Sequence, residues 1–184
     1  MALAPVLYDF DVTLSHVDRS LDQRLLIKAA RHPSESMPRL WLRVLAYCWQ
    51  WEERIGFGPG LAEPETPDLE VLDLTGERTL WIRVGKAEPG KIQRVADRNS
   101  GSRVLVLFDS PARLDAFVQA AREEEVRRLE RVELVAVDPA LLAALSESEE
   151  RRWKLSLTIV GEHLYVETAG RSFDGPLSRG SAAA

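Results

Sequence analysis

The residues best suited to chemistry lie in one short stretch, PDLEVLDLTGERTLWIRVGK, residues 67–86. Alternating apolar residues on both sides of a Thr-Gly pair predict a β-hairpin. Folding the chain at that pair places Asp73 opposite Arg78 and, further out, Asp68 opposite Arg83. A second acid opposite Asp68 would offer a divalent metal ion two carboxylates. The sequence has an arginine there instead.

The side chain of Arg83 excludes two roles at this position. A guanidinium has no acceptor and stays protonated, so it neither ligates a cation nor acts as a base. At about 4 Å it repels a divalent ion by several kcal/mol for an effective dielectric of about 20. The same geometry favours a bidentate ion pair between Arg83 and Asp68. The hairpin therefore predicts a site whose charge is satisfied without a metal.

The amino-terminal third contains two apolar patterns before the first helix. VLYDFDVTLS, residues 6–15, alternates apolar and polar residues, which is typical of a strand with one buried face. RLLIKAA, residues 24–30, is too short to distinguish a second strand from a short helix. We favour the strand, which would complete a hairpin.

An amphipathic helix is predicted to begin at Pro38 and to end before Gly56. Its apolar stripe contains two tryptophans, and Arg39 and Arg43 lie on the opposite, solvent-facing side. GFGPGLAEPETP, residues 56–67, is predicted to be a loop because of its glycines and prolines.

The second half alternates helical and strand patterns. The predicted elements are helix 91–98, strand 103–108, a helix from Pro111, strand 132–137, helix 138–147 and a hairpin over 153–168. From the first helix the order is helix, strand, strand, strand, helix, strand, with a small helix inserted before the third strand. This order predicts an α/β fold with a mixed central sheet and flanking helices. Residues 1–170 are expected to form a single domain and residues 171–184 a flexible tail.

Composition narrows the class of partner. The chain has 184 residues, 45% of them hydrophobic, which suffices for one substantial core. A net charge of -5 gives no overall attraction to polyanions, so a nucleic-acid site would be a local patch. The single cysteine, Cys48, is expected to be a buried packing residue. The chain shows neither a basic leader nor a membrane-spanning apolar run, so we expect a cytoplasmic protein with no membrane association.

Three motifs carry a family resemblance: RHPSE at residues 31–35, PDL and DLTG within residues 67–76, and WIRVG at residues 81–85. With them the chain resembles the YaeQ family, from its first residue to about residue 168. YaeQ-like proteins resemble the PD-(D/E)XK nuclease superfamily, whose core has the order helix, three strands, helix, strand. The resemblance implies a restriction-endonuclease-like core with an added amino-terminal strand or hairpin and a carboxyl-terminal hairpin.

The resemblance also implies roles for individual residues. In that superfamily two acids on neighbouring strands share a metal ion, which generates hydroxide, and a nearby lysine assists. Asp68 matches the first acid, Arg83 occupies the position of the second, and Gly85 occupies the lysine position. Glu35 matches a remaining family acid. If the site is active, Asp68 and Glu35 would hold Mg²⁺, and otherwise no cofactor is expected.

Basic residues cluster after the hairpin turn. Lys86, Lys91 and Arg94 are candidate phosphate contacts beside the altered site. A bulge at Gly85 would turn Lys86 inward and restore the missing cation. A simpler interpretation is that the basic residues neutralise the acids across the hairpin, and we favour it.

Three functions remain open at this stage. The leading hypothesis is a nuclease-type fold with an impaired metal site that acts by binding nucleic acid or a protein partner. An alternative is an active Mg²⁺-dependent nuclease in which Glu35, Asp68 and either Glu70 or Asp73 rebuild the metal shell. The third is a protein-interaction domain without nucleic-acid binding.

Overall fold

A computed structural model describes residues 4–59 and 65–181 of the chain. The strands in these ranges are β1 (Val6–His16), β2 (Leu21–Arg31), β3 (Ile55–Phe57), β4 (Leu69–Leu72), β5 (Arg78–Val84), β6 (Arg103–Phe108), β7 (Val132–Val137), β8 (Arg152–Val160), β9 (His163–Thr168) and β10 (Arg171–Gly180). The α-helices are α1 (Met37–Trp49), α2 (Pro89–Arg98), α3 (Pro111–Glu123) and α4 (Pro139–Ser146). In these ranges no helix is both long and apolar enough to cross a bilayer.

All ten strands belong to one mixed sheet, in the order β2-β1-β8-β9-β10-β7-β6-β5-β4-β3. The strands β5, β6 and β7 are parallel, whereas β3, β4 and β5 form antiparallel pairs. One buried cluster contains the apolar residues of α1 and α4, and a second contains those of α2 and α3. The predicted mixed α/β sheet with helices is confirmed in this form.

The amino-terminal hairpin agrees with the sequence pattern. In β1 the alternating residues Phe10, Val12 and Leu14 are at most 1% exposed. Residues 24–30 lie in β2, which pairs antiparallel with β1 along its full length. The favoured strand assignment is therefore confirmed.

The helix α1 forms where predicted, but its end and its polar face differ from the prediction. The hydroxyl of Ser36 accepts from the backbone N–H of Arg39, which caps the helix. The helix ends at Trp49, well before Gly56, which lies in β3. The predicted stop at Gly56 is therefore wrong, as is a loop beginning there. Arg43 is buried at 8% exposure, so its predicted place on a solvent-facing side is also wrong.

The hairpin of β4 and β5 has the predicted register only at its outer end. Val71 pairs with Leu80 and Leu69 with Ile82, so the next step outward brings Asp68 beside Arg83. A bulge after Val71 then shifts the ladder. The predicted pairing of Asp73 with Arg78 is wrong for this reason.

Turn chemistry explains the shift. The Asp73 carboxylate accepts hydrogen bonds from the hydroxyl and backbone N–H of Thr75 and from the backbone N–H of Glu77. Gly76 has a φ of 86°, a left-handed conformation that favours glycine. The turn is therefore longer than the two residues assumed from the Thr-Gly pair.

The flexible tail predicted from residue 171 is wrong for residues 171–180. These residues form β10, which pairs with β9 on one side and with β7 on the other. Ala169 and Gly170, with φ of 47° and 74°, turn the chain from β9 into β10. Leu177 is buried at 5% exposure. The strand joins the two halves of the sheet.

Candidate functional site

Asp68 lies immediately before β4, where backbone hydrogen bonds hold it. Its N–H donates to the carbonyl of Ile82 at 2.8 Å, and its carbonyl accepts from the N–H of Gly58 at 2.9 Å. The residue is only 3% exposed. Its carboxylate Oδ2 accepts from the N–H of Val84 at 2.8 Å, so Asp68 also bridges to the end of β5.

Arg83 contacts Asp68 more weakly than predicted. Its Nε lies 3.7 Å from Asp68 Oδ2, which is an ion pair but too long for a hydrogen bond. Its Nη1 donates instead to the carbonyl of Thr66 at 3.3 Å. The predicted bidentate pair is therefore wrong, although the two charges do lie side by side.

The closest cation to Asp68 is Arg39 of α1, which the sequence pattern placed towards solvent. Its Nη2 donates to Asp68 Oδ1 at 2.5 Å, and its Nη1 donates to Glu35 Oε1 at 2.8 Å. The same side chain passes Gly85, where an added Cβ would lie 4.0 Å from Arg39 Nε. Arg39 thus links the two acids and lies beside the glycine.

Glu35 is buried between two arginines of α1. The Nε and Nη2 of Arg43 donate to its two oxygens at 2.8 and 2.7 Å. Arg43 Nη2 also donates to the carbonyl of Ala30 in β2. The Glu35 side chain is 1% exposed. The only sequence signal for these contacts is spacing: Glu35 precedes Arg39 by one helical turn and Arg43 by two.

The five side chains form one network, which we call the arginine–carboxylate network: Glu35, Arg39, Arg43, Asp68 and Arg83. Its three guanidinium groups and two carboxylates carry a net formal charge of +1. Each of the four carboxylate oxygens accepts at least one hydrogen bond. Such a set does not fit Mg²⁺, which requires available oxygen ligands and is repelled by the adjacent cations.

The two acids expected to rebuild a metal shell have other partners. Glu70 Oε2 lies 2.7 Å from Arg78 Nη2. Asp73 belongs to the turn, where the Thr75 hydroxyl and the backbone N–H groups lower the pKa of its carboxyl. Across the part of the chain that the structure describes, no three His, Cys, Asp or Glu residues form a group that could hold a metal ion.

The candidate phosphate contacts lie on and before α2. Lys86 is exposed and follows Gly85, whose φ of 78° turns the chain out of β5. Lys91 Nζ lies 2.7 Å from Glu88. Arg94 lies 3.4 Å from Glu65.

Glu65 also binds Arg98, on the next turn of α2. The hydrogen bonds from Arg98 and Arg94 lower the pKa of the Glu65 carboxyl. The basic face of α2 is thus partly neutralised by one acid from the segment before β4.

Lys86 lies in a shallow cleft of about 190 Å³ with Phe108 and Arg113. Among the described residues, the cations within 4.0 Å of the Asp68 carboxylate are Arg39 and Arg83. Lys86 therefore does not restore the missing cation, and Arg39 of α1 lies beside Gly85 instead.

Comparisons with known proteins identify the family and the fold. A family model described as "YaeQ protein" matches residues 1–175. The uncharacterised YaeQ protein of Salmonella typhi is 25% identical over 174 residues, which cover 95% of this chain and 94% of the relative. That of Escherichia coli K12 is 25% identical over 159 residues, which cover 86% of both chains.

Two crystal structures of YaeQ proteins have the same fold. The protein from Xanthomonas axonopodis pv. citri superposes with a TM-score of 0.85 at 22% identity, over 97% of this chain and 99% of that one. The protein from Pseudomonas syringae gives a TM-score of 0.82 at 23% identity, over 97% and 98% of the two chains.

Proposed function

The chain belongs to the YaeQ family, and on that premise we propose that it is a nucleic-acid-binding protein with a nuclease-type core that does not cleave its ligand. One observation carries the proposal: guanidinium groups and a backbone N–H occupy the carboxylate oxygens of Glu35 and Asp68. The arginine–carboxylate network takes the place of a metal centre.

The element order supports the nuclease-type core. The short strand β3 supplies a third strand between α1 and α2, so α1, β3, β4, β5, α2 and β6 follow the order helix, three strands, helix, strand. With β3 counted, α2 is the second helix of this order, so no helix has to be treated as an insertion before the third strand. The strands β3 to β7 also lie side by side in chain order, with β4 antiparallel to both of its neighbours.

The loss of metal-dependent cleavage follows from charge and geometry. A divalent ion near Asp68 would have to displace Arg39 from a 2.5 Å contact and tolerate Arg83 at 3.7 Å from the same carboxylate. Neither arginine can deprotonate a water molecule at ordinary pH. These residues therefore supply positive charge but no base.

The basic residues that follow β5 favour binding of a phosphate backbone. Lys86, Lys91 and Arg94 lie within one short segment, from the end of β5 into α2. Lysine and arginine side chains bind phosphates and release condensed counterions, so the affinity should fall as salt rises. A protein-interaction domain would show no such dependence.

The test combines calorimetry with Mn²⁺, an incubation of labelled single-stranded DNA with Mn²⁺, and fluorescence anisotropy of the same DNA at several salt concentrations. We expect no heat of Mn²⁺ binding, no cleavage, and DNA binding that weakens as salt rises. Mn²⁺ binding that disappears in Asp68→Ala, together with cleavage, would establish the active nuclease instead. Binding of no DNA, or binding independent of salt, would favour the protein-interaction domain.

Replacement of Glu65 by glutamine is expected to strengthen DNA binding about three- to tenfold, because it frees Arg94 and Arg98 for phosphates. Fluorescence anisotropy measures the change. Glu147→Gln is the matched control, since Glu147 forms a comparable exposed pair with Arg171. An equal gain in both variants would show that overall charge, and not the α2 face, sets the affinity.

A further inference from the structure

A polar cleft lies at the end of α1 opposite to the arginine–carboxylate network. Its volume is about 510 Å³. Trp49 and Gln50 at the end of α1 line it, together with His16 at the end of β1. Other lining residues come from the segments that follow β1 and α1, from the first residues of β6 and β7, from the end of β10 and from the turn between β8 and β9. The cleft therefore depends on both halves of the sheet.

His16 is a buried polar residue in the wall of this cleft. It is only 6% exposed, and its Nδ1 has no hydrogen-bond partner among the residues that the structure describes. The nearest acid, Asp18, lies 4.0 Å away and accepts instead from the N–H of Gly161 at 2.6 Å. Burial and the charge of Arg19 lower the pKa of His16, which favours a neutral ring. A buried polar group without a partner is uncommon in native structures.

The charged side chains of the cleft fall into two groups. On one wall Glu133 lies between Arg103, at 3.0 Å, and Arg179, at 3.8 Å, and Arg179 also binds Glu162. This wall is internally neutral.

Arg19 and Glu52 also line the cleft. Within residues 4–59 and 65–181 neither side chain forms a hydrogen bond or an ion pair with another. The cleft thus offers one unpaired positive and one unpaired negative charge.

We propose that this cleft binds a small zwitterion, either an α-amino acid or a short peptide with free termini. Arg19 binds the carboxylate, because a guanidinium matches carboxylate geometry. Glu52 binds the ammonium group, and the neutral ring of His16 adds no competing charge. This site is separate from the network around Asp68 and does not depend on the function proposed there.

The charges of the cleft disfavour other ligands. Three arginines face four acids, Asp18, Glu52, Glu133 and Glu162, so the formal charge is -1 with a neutral His16. A phosphate dianion would meet net repulsion. A simple polyamine would leave Arg19 without a partner.

The test is titration of the ¹⁵N-labelled protein with glycine and with L-alanyl-L-alanine, followed by NMR chemical shifts. We expect saturable shifts at residues of the cleft. The N-acetylated and the C-amidated dipeptides should each bind at least tenfold more weakly, because each lacks one charge. Failure of both free ligands to bind would overturn the proposal, as would equal binding of the blocked forms.

Single variants assign the two charges. Arg19→Gln and Glu52→Gln should each weaken dipeptide binding about tenfold, which corresponds to about 1.4 kcal/mol. Arg127→Gln and Glu130→Gln, which line a different cleft near the end of α3, are the matched controls. Binding that survives in both cleft variants, or tighter binding of inorganic phosphate or spermidine than of the dipeptide, would contradict the assignment.

Discussion

Glu35→Gln should lower the free energy of unfolding by about 3–5 kcal/mol, the usual cost of removing one partner of a buried ion pair. The substitution keeps the size of the side chain but removes the charge that Arg39 and Arg43 share. The three guanidinium groups of the network would then have one carboxylate, that of Asp68, which contacts Arg39 and Arg83. Urea denaturation measures the effect.

Two comparisons separate burial from charge. Glu147→Gln removes an exposed pair with Arg171 and should cost less than about 1 kcal/mol. The double variant Glu35→Gln/Arg43→Gln should recover part of the loss, because it also removes the buried positive charge that had lost its carboxylate partner. If Glu35→Gln costs no more than Glu147→Gln, the network does not stabilise the fold.

Arg83→Glu should raise the affinity for Mn²⁺ by at least about a hundredfold, because the ion then competes with Arg39 alone for the Asp68 carboxylate. The substitution replaces a repelling guanidinium, which lies 3.7 Å from the Asp68 carboxylate, with a second carboxylate that can bind the ion. At an effective dielectric of about 20, one unit charge at about 4 Å contributes about 4 kcal/mol, so reversal of its sign is a large effect. Isothermal calorimetry with Mn²⁺ measures the gain.

The controls for this variant change charge without building the site. Arg83→Gln removes the cation but adds no carboxylate, and it should gain much less. Arg78→Glu makes the same change of charge beside the half-buried Glu70 near the turn of the hairpin, so it tests whether an acid must lie beside Asp68 to give the gain. A folded Arg83→Glu protein with unchanged Mn²⁺ affinity would show that Arg83 is not what excludes the metal. If the proposed nuclease-type core is right, Gly85 still stands where that core has a lysine, and cleavage is not expected from this variant alone.

Elements held by local chemistry could be predicted from the sequence. Alternation along β1 and β2 fixes which face is buried, and a strand slipped by one residue would expose that face. The same constraint placed Asp68 beside Arg83, although the turn itself is longer than expected. At the start of α4, Asp138 accepts from the N–H of Ala140, as an acidic N-cap residue does.

The sequence alone therefore determined the family, most strands and helices, and the neighbourhood of Asp68 and Arg83. Only the tertiary structure decided that Arg39 and Arg43 face inward, because a helical pattern assigns charged residues to solvent unless their distant partners are known. It also revealed β10, whose mixed pattern becomes a strand only between β9 and β7. The cleft around His16 was beyond the sequence for the same reason: its wall is assembled from elements far apart in the chain, which local patterns do not bring together.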